Sequence, residues 1–182
     1  MDAYNEPWPR GCLQVYTGDG KGKTTAAFGL ALRAAGRGMR VFVGQFMKGS
    51  RYGELDGAAA LGGRVEVEQF GSSACIPWRE EPDPSDAARA SAGLARCVEI
   101  LGAGRHAIVV MDEVTVAVRF RLLGVDALLA AVDARPSGVE LVCTGRWAPA
   151  ELVARADLVT EMAAVKHPYT SLGLEARDGI ER

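Results

Sequence analysis

The residues with the clearest chemical potential form a glycine- and lysine-rich run near the amino end, which reads Gly18, Asp19, Gly20, Lys21, Gly22, Lys23, Thr24 and Thr25. Glycines let the backbone curl so that its N–H groups point at phosphate oxygens, and the amides and dipole of a following helix add to this attraction. Lys23 would supply positive charge to the outer phosphates, and the Thr24 hydroxyl would ligate Mg²⁺. The run therefore predicts a phosphate-binding loop for a nucleoside triphosphate bound with Mg²⁺.

This loop departs from the usual spacing at its first position. The common pattern has four residues between its first glycine and Gly-Lys-Thr, which places Thr17 where that glycine would stand. We expect a variant loop whose entry turn differs from the usual one. The alternative is a glycine-rich turn with a coincidental Lys-Thr pair, and the predicted strand before it and helix after it argue against that.

Two acids supply the partner that such a loop needs. Residues 108–113 (IVVMDE) form an apolar strand that ends in Asp112 and Glu113. A site for Mg²⁺ and triphosphate needs a carboxylate on a neighbouring strand, and ligands of open α/β sheets bind at the carboxyl ends of the strands. Asp112 and Glu113 are the predicted metal ligands. Either could contact Mg²⁺, directly or through water, or Asp112 could orient the site with Glu113 on the metal.

Other polar residues follow predicted strands at the same edge. Gln45 and Lys48 come after the second strand, where Lys48 could contact a phosphate or a substrate carboxylate, or be solvated. Arg146 ends a Thr-Gly-Arg run and could contact phosphate or substrate, or form a surface ion pair. Lys166 and His167 form a polar cluster in the tail, where His167 could bind substrate or serve a structural role.

The elements that would position these residues alternate between strand and helix. Strands are predicted at 12–16, 40–46, 64–70, 107–111, 139–143 and 157–162, and helices at 24–38, 86–102, 124–134 and 149–156. Ser85 or Asp86 could cap the second helix. Several strands are apolar throughout, as in a parallel sheet covered by helices on both faces. The sequence predicts one α/β domain over residues 1–182.

Composition narrows the function classes. The chain has 182 residues, of which 48% are hydrophobic, and a formal net charge of −2, so it lacks the global basic field of a nucleic-acid-binding protein. No apolar run reaches the ~18–20 residues that span a bilayer, and the amino end lacks an apolar signal core. We expect a cytoplasmic protein with no nucleic-acid or membrane partner.

Cysteine and histidine usage argues against a structural zinc site and a Ser-His-Asp triad. The chain has two histidines and no C-x-x-C pair; its cysteines are Cys12, Cys75, Cys97 and Cys143. All but Cys75 lie in apolar stretches and are predicted to be buried thiols.

Phe70 and Trp78 border a Pro-containing loop at 71–84 and could line a flat cofactor pocket or simply pack there.

The order of the motifs resembles that of a known family. The runs that match are YTGDGKGKTTAAFGLALRAAGRGMRV, QFMKG, VVMDEV, TGRWAP, ADLVTEM, VKHPY and ARDGIE, from about residue 11 to residue 181. Together they resemble the ATP:corrinoid adenosyltransferases of the CobA/CobO/BtuR family, the cob(I)yrinic acid a,c-diamide adenosyltransferases, whose phosphate loop also reads TG-x-GKGKTT. The match is specific because seven motifs recur in one order.

The resemblance implies a RecA-like P-loop fold and a homodimer. It implies that the 5′-deoxyadenosyl group of ATP is transferred to the cobalt(I) of a corrinoid with release of triphosphate, in adenosylcobalamin biosynthesis or salvage. An electron donor, such as a reduced flavoprotein, would supply cobalt(I). Catalytic roles would fall to Lys23, Glu113 and Arg146, and nucleotide or corrinoid contacts to the loop at 18–25 and to Gln45, Lys48, Lys166 and His167.

The chain departs from the family pattern at two places. Many members carry Gly-Phe-Thr-Trp after the third strand, with aromatics that help to remove the lower ligand of cobalt, whereas residues 70–76 here read FGSSACI. The Asn-Tyr pair that follows the two acids in the family is replaced by Thr115-Val116. The chain therefore looks like a branch without the Gly-Phe-Thr-Trp motif, in which Phe70 and Trp78 are candidates for that task.

Three alternative functions have different signatures. A P-loop hydrolase or kinase would attack phosphorus and release ADP, with Glu113 orienting the attacking group. A protein that only delivers adenosylated corrinoid would bind the product without turnover, although the intact Lys23, Thr24 and Asp112 argue against it. A nucleic-acid motor would need a basic stripe that this acidic chain lacks.

Overall fold

The computed structural model describes residues 9–74 and 76–181, so Cys75 lies outside the described residues. In chain order the elements are β1 (Leu13–Thr17), α1 (Lys23–Ala35), β2 (Val41–Gln45), α2 (Gly53–Ala59), β3 (Val65–Gln69), α3 (Pro84–Ala103), β4 (Ile108–Asp112), α4 (Val114–Arg119), α5 (Val125–Asp133), β5 (Glu140–Thr144), α6 (Ala150–Arg155), β6 (Leu158–Glu161) and α7 (Pro168–Leu172). All six predicted strands and all four predicted helices are present, with ends shifted by one to three residues.

The described strands form one six-stranded parallel sheet in the order β3-β2-β4-β5-β1-β6. The predicted α/β class with a parallel sheet is confirmed. The expectation that the two acids follow a strand adjacent to the phosphate loop's strand is wrong, because β5 lies between β1 and β4. Local patterns in the sequence do not encode which strands pair, so this insertion was not visible there.

Apolar residues cover both faces of the sheet, as the continuous apolar strands predict. Residues that alternate along β4 pack into different clusters: Val109 and Met111 join helices α3 to α6, whereas Ile108 and Val110 join α1 and α2. The fully buried apolar residues of helix α1 are alanines, at positions 27, 31, 34 and 35, and the partly buried Phe28 and Leu30 pack beside them. The three- and four-residue spacing of the alanines and their small size let the helix lie close to the sheet directly after the phosphate loop.

Helix α3 begins two residues earlier than predicted. Asp83 is its N-cap, with a side-chain oxygen that accepts a hydrogen bond from the Ser85 backbone N–H at 2.8 Å, and Pro84 occupies the first turn. Proline suits that position because its fixed φ is helical and it lacks the N–H that would have no partner there. The predicted cap at Ser85 or Asp86 is therefore wrong. The helix ends at Gly104, which is left-handed with φ 64°.

Three short helices were not predicted, for different reasons. Helix α4 is rich in Val and Thr, which are β-branched and favour strands, and α2 contains two glycines. Helix α7 has five residues, too few for a periodic pattern. The first two matter for the site, since α4 directly follows Asp112 and Glu113 and α2 brings a further acid to the phosphate loop.

The two candidate aromatic residues have different environments. Phe70 is partly buried and packs against the core, with its ring centroid 5.9 Å from that of Phe46. Trp78 is 51% exposed.

The thiols of Cys97 and Cys143 are buried and free, as predicted, whereas Cys12 is half-buried. Burial raises the pKa of the Cys143 thiol to about 12, so this thiol is inert at neutral pH.

Two glycines of α3 give opposite predictions for stability. A Cβ on Gly93 would lie 2.5 Å from Cγ of Phe70, whereas one on Gly102 would meet nothing within 4 Å. We expect Gly93→Ala to lower the free energy of unfolding by about 1–3 kcal/mol because the ring must move. Gly102→Ala should raise it by roughly 0.5–1 kcal/mol through helix propensity. Urea denaturation of both variants measures this difference, and equal stabilities would contradict the close packing of Gly93 on Phe70.

Candidate functional site

The phosphate loop at residues 18–25 joins β1 to α1 and depends on its glycines. Gly18 and Gly22 have φ angles of 93° and 123°, a region that residues with a side chain rarely adopt. A Cβ on Gly18 or Gly20 would lie 2.5 or 2.6 Å from the carbonyl oxygen of Met162. The Gly20 N–H donates a hydrogen bond of 2.6 Å to that same oxygen. The segment after β6 therefore supports the outer side of the loop.

Thr17 explains why the loop tolerates the missing first glycine. Thr17 is the last residue of β1, and the left-handed turn begins only at Gly18. The Thr17 hydroxyl accepts a hydrogen bond of 3.3 Å from the backbone N–H of Ala148. The predicted variation of the entry turn thus places a side chain that connects the loop to the segment after β5.

Lys23 lies within the curl of the loop. Its side-chain Nζ donates hydrogen bonds of 2.7 Å to the carbonyl oxygens of Gly18 and Gly20, and the residue is only 7% exposed. Burial lowers the pKa of Lys23, against the opposing influence of Glu113. A phosphate oxygen in the loop would meet this ammonium group together with the first amides of α1.

Asp112 is the centre of the polar network at this edge of the sheet. It is fully buried, and its carboxylate accepts hydrogen bonds from four side chains. Oδ1 accepts from the hydroxyls of Thr24 at 2.9 Å and Thr144 at 2.7 Å. Oδ2 accepts from Gln45 Nε2 at 3.2 Å and Lys48 Nζ at 3.1 Å. Asp112 thus joins the phosphate loop to the ends of β2 and β5.

Glu113 lies beside this network in an unusual backbone conformation. It is the N-cap of α4 with φ 61°, in the left-handed region. Its backbone N–H donates a hydrogen bond of 2.9 Å to the Thr144 hydroxyl, which in turn donates to Asp112. Burial, and after it the charge of Asp112, raises the pKa of the Glu113 carboxyl. A cation that approaches the two acids would favour the ionised form of Glu113.

Gln45 and Lys48 occupy different layers of the site. Gln45 is fully buried and donates to Asp112 and, at 3.0 Å, to Glu54 Oε1, so it lies behind the network and not in the cavity. A contact of Gln45 with the nucleotide or the corrinoid stays a prediction, which the burial of this residue does not favour. Lys48 lines the cavity and donates to Glu54 Oε1 at 3.1 Å. Burial lowers the pKa of Lys48, but Asp112 and Glu54 outweigh this effect and raise it overall.

Arg146 lies close to the phosphate loop. Its Nε is 4.0 Å from Oδ1 of Asp19, and its side chain is 48% exposed. The turn that carries it is supported by Thr115, whose hydroxyl donates to the Arg146 carbonyl oxygen at 2.8 Å. Thr115 stands where the family has Asn, so the substituted residue has a definite structural role. No local pattern indicates this role, because residues 115 and 146 are far apart along the chain.

The cavity above the loop has a volume of about 460 Å³, within the range of small-molecule sites. Its residues come from the loop, from α1, from the segment around α2 and from the carboxyl-terminal turn: Lys21, Gly22, Lys23, Thr24, Thr25, Phe28, Lys48, Gly53, Glu54, Gly179, Ile180 and Glu181. Three lysines make one side of it basic, which suits a triphosphate. Local sequence patterns do not indicate Glu54 or the contribution of residues 179–181, although ARDGIE is among the matching motifs.

Lys166 and His167 are not brought to the phosphate cavity. Lys166 is exposed, and His167 lines a separate cavity of about 160 Å³ that is also lined by Tyr169 and Glu181. His167 caps α7, since its Nδ1 accepts a hydrogen bond from the Tyr169 N–H at 3.3 Å. In the described structure this pair therefore has a structural place at the start of α7, next to the cavity that would hold the nucleotide.

The oxygen atoms of Thr24, Asp112 and Glu113 fit Mg²⁺ better than a softer metal. The Thr24 hydroxyl and the carboxylates of Asp112 and Glu113 are hard oxygen ligands, and Mg²⁺ usually takes one or two carboxylates together with substrate phosphates. Within residues 9–74 and 76–181, no group of three or more His, Cys, Asp or Glu side chains is arranged to hold a metal by itself. An ion here would need the phosphates to complete its coordination.

Within that same described part of the chain, no helix combines the length and the apolar character that crossing a membrane requires.

Comparison with known proteins identifies relatives over nearly the whole length. The model of the family described as ATP:corrinoid adenosyltransferase BtuR/CobO/CobP matches residues 9–182. A corrinoid adenosyltransferase of Pseudomonas aeruginosa is 37% identical over 174 residues, covering 94% of this chain and 84% of that protein. Corrinoid adenosyltransferase CobA of Salmonella typhimurium is 35% identical over 173 residues, with 94% and 86% covered. A corrinoid adenosyltransferase of a Sinorhizobium species is 33% identical over 181 residues, with 94% and 80% covered.

The hydroxyl of Thr144 is predicted to stabilise the polar network. Thr144→Val removes a donor to Asp112 and an acceptor for the Glu113 N–H at a fully buried position. We expect the free energy of unfolding to fall by about 1–3 kcal/mol, because a buried carboxylate and a buried amide lose partners. Thr160→Val, at an exposed position of β6, is the matched control and should change it by less than about 0.5 kcal/mol. Chemical denaturation measures both, and a Thr144→Val protein as stable as the control would refute the network.

Proposed function

The chain belongs to the ATP:corrinoid adenosyltransferase BtuR/CobO/CobP family, and from this premise we propose that it transfers the 5′-deoxyadenosyl group of ATP to the cobalt(I) of a corrinoid. Triphosphate is the other product. The observation that carries the proposal is the phosphate loop itself, in which Lys23 is buried against the carbonyls of Gly18 and Gly20 and Thr24 contacts Asp112. This arrangement is suited to holding polyphosphate.

The reaction needs groups that bind the leaving triphosphate more than it needs a general base. Cobalt(I) of the substrate donates an electron pair to C5′ of ATP, the Co–C5′ bond forms and the C5′–O5′ bond breaks. The bonding electrons leave with oxygen on the triphosphate, and no proton has to move. Because the nucleophile is the reduced corrinoid, the protein supplies position and charge. A chain with only two histidines agrees with a reaction that needs no Ser-His-Asp arrangement.

Charge that develops on the triphosphate is matched by groups already in place. Lys23 and the loop amides other than that of Gly20 would face the phosphates, and Lys48 lines the same cavity. Preorganised donors of this kind commonly lower a barrier by several kcal/mol, about 2.7–4 kcal/mol for one donor. When bound, Mg²⁺ would add positive charge at the phosphate oxygens. Holding C5′ against cobalt could contribute up to about 7–11 kcal/mol more.

The two acids have separable roles in this proposal. All four hydrogen bonds to Asp112 come from protein side chains, so Asp112 orients the Thr24 hydroxyl and acts on a metal ion through it or through water. Glu113 is the acid available for an ion bound with the triphosphate. Arg146, which is near Asp19, would contact phosphate or the corrinoid periphery.

Several broader statements belong to the same proposal. The enzyme would act as a single domain over residues 1–182 and as a homodimer in the cytoplasm, with cobalt(I) supplied by a reduced flavoprotein. Nucleic acid and membrane would not be partners. These expectations rest on the motifs and on family membership. The candidate corrinoids are a late biosynthetic intermediate, salvaged cobinamide and cobalamin.

The products distinguish this function from hydrolysis or kinase activity. In an anaerobic assay with ATP, Mg²⁺ and chemically reduced cob(I)alamin, we expect a light-sensitive Co–C product and one triphosphate for each bond formed. The corrinoid spectrum and chromatography of the phosphates measure the two products. Release of ADP and phosphate without a Co–C bond, with both cobalamin and cobinamide, would show that the proposed function is wrong.

Lys23 is predicted to be essential for the rate. Lys23→Ala removes the ammonium from the loop and should lower the rate of adenosyl transfer by at least about 100-fold, because the leaving triphosphate loses a preorganised donor. Arg105→Ala removes a cation from an exposed position away from the cavity and is the control, with an unchanged rate expected. A Lys23→Ala enzyme that kept the full transfer rate would exclude this role.

A further inference from the structure

The structure presents an aromatic side chain at the edge of the phosphate site that the motifs did not single out. Trp147 follows Arg146 at the end of β5 and is 49% exposed. Its indole stacks on Phe120, with ring centroids 6.4 Å apart and planes inclined by 26°. Phe120 is the C-cap of α4, the helix that begins at Glu113. The indole is thus held by the Phe120 ring, while about half of the residue's surface remains exposed to solvent.

Contacts on both sides of Trp147 connect it to the phosphate loop. Arg146 approaches Asp19 of the loop to 4.0 Å, and the Ala148 N–H donates to the Thr17 hydroxyl at the end of β1. The Arg146 guanidinium also lies 6.0 Å from the centre of the indole ring. The exposed ring is therefore fixed next to the place where the triphosphate would bind.

The backbone of Trp147 is in a conformation that bulky residues rarely adopt. Its φ angle is 57°, and the nearby Gly145 has φ 133°. A Cβ on Gly145 would lie 2.3 Å from the Thr115 hydroxyl, so Thr115 and this glycine fit closely together. Strained conformations of this kind persist where the surrounding structure enforces them, and they are concentrated at functional sites. Here the residue in this conformation is a tryptophan that is half-exposed.

We propose that Trp147, supported by Phe120, is the platform on which the corrinoid ring lies during transfer. This inference rests on the proposed function, because cobalt must reach C5′ of an ATP whose phosphates occupy the loop at residues 18–25. The substrate must then approach at this edge of the sheet. A corrin ring has broad faces that carry methyl groups, and a tryptophan offers a large aromatic surface to such a partner at little cost in conformational entropy. Arg146, between the platform and the loop, is placed to contact polar groups on the ring periphery.

The same observations disfavour the residues that the sequence had suggested for this task. Phe70 is partly buried and packs against the core beside Phe46 and Gly93, so less of its ring is free for a substrate than of the Trp147 ring. Trp78 is as exposed as Trp147, at 51% against 49%. It lies in the 71–84 loop, which is hydrogen-bonded to the segment around Lys48 through Gly71, whereas the segment that carries Trp147 is hydrogen-bonded to the end of β1 directly before the phosphate loop. The two tryptophans therefore form a matched pair for an experiment.

Binding of cob(II)alamin and of ATP to the full-length protein tests the proposal without depending on turnover. We expect Trp147→Ala to weaken cob(II)alamin binding about tenfold in anaerobic equilibrium dialysis with saturating ATP. Trp147→Phe should retain most of the affinity, and Trp78→Ala should remain within about twofold of the unchanged protein. The dissociation constant of ATP should stay within about twofold in all three variants, which also shows that the phosphate site is folded.

Other outcomes would overturn the proposal in recognisable ways. Unchanged cob(II)alamin affinity in Trp147→Ala, or a loss confined to Trp78→Ala, would remove Trp147 from the substrate site. An equal loss of ATP and corrinoid affinity in both Trp147→Ala and Trp147→Phe would mean that the residue only supports the loop. If the unchanged protein forms the Co–C bond, each of these results counts against the role of Trp147 and leaves the proposed function intact. If it neither binds corrinoid nor forms that bond, the proposed function fails with it.

Discussion

The buried carboxylate of Asp112 is the interaction on which the rest of the site depends. A carboxylate without exposure is costly unless each oxygen has partners, and here four side chains from the phosphate loop, β2 with the segment after it, and β5 provide them. The sheet register helps, because Gln45 and Asp112 are paired residues of β2 and β4. The loop, the strand ends and Lys48 must therefore take consistent positions before this carboxylate can be buried.

The burial of Asp112 divides the site into a rigid interior and a polar rim. The interior contains Asp112, Gln45 and Thr144, which face no solvent and fix their neighbours. The rim contains Lys48, Arg146 and the exposed Trp147, which remain accessible to substrates. Such an arrangement suits a reaction in which the protein contributes position and charge while the reduced cobalt of the substrate contributes the nucleophile.

Local sequence patterns predicted much of this structure. The phosphate loop, the six strands and the position of Asp112 and Glu113 at a strand end were visible because apolar runs and glycine spacing are local properties. The order of the strands was not, and neither were Glu54 and Thr115, because their roles come from contacts between distant segments. The bond from buried Gln45 to Asp112 was not visible either, since a sequence does not show on which side of a strand end a polar residue is buried.

The fate of the oxygen between C5′ and the α-phosphorus tests most directly whether the loop holds triphosphate as a leaving group. ATP labelled with ¹⁸O at that bridging position would be converted anaerobically with cob(I)alamin, and the products would be analysed by mass spectrometry. Attack at C5′ predicts that all of the label leaves in the triphosphate. Label that remained bonded to the C5′ carbon of the nucleoside product would show that a P–O bond is broken instead, and would contradict the role of triphosphate as the leaving group.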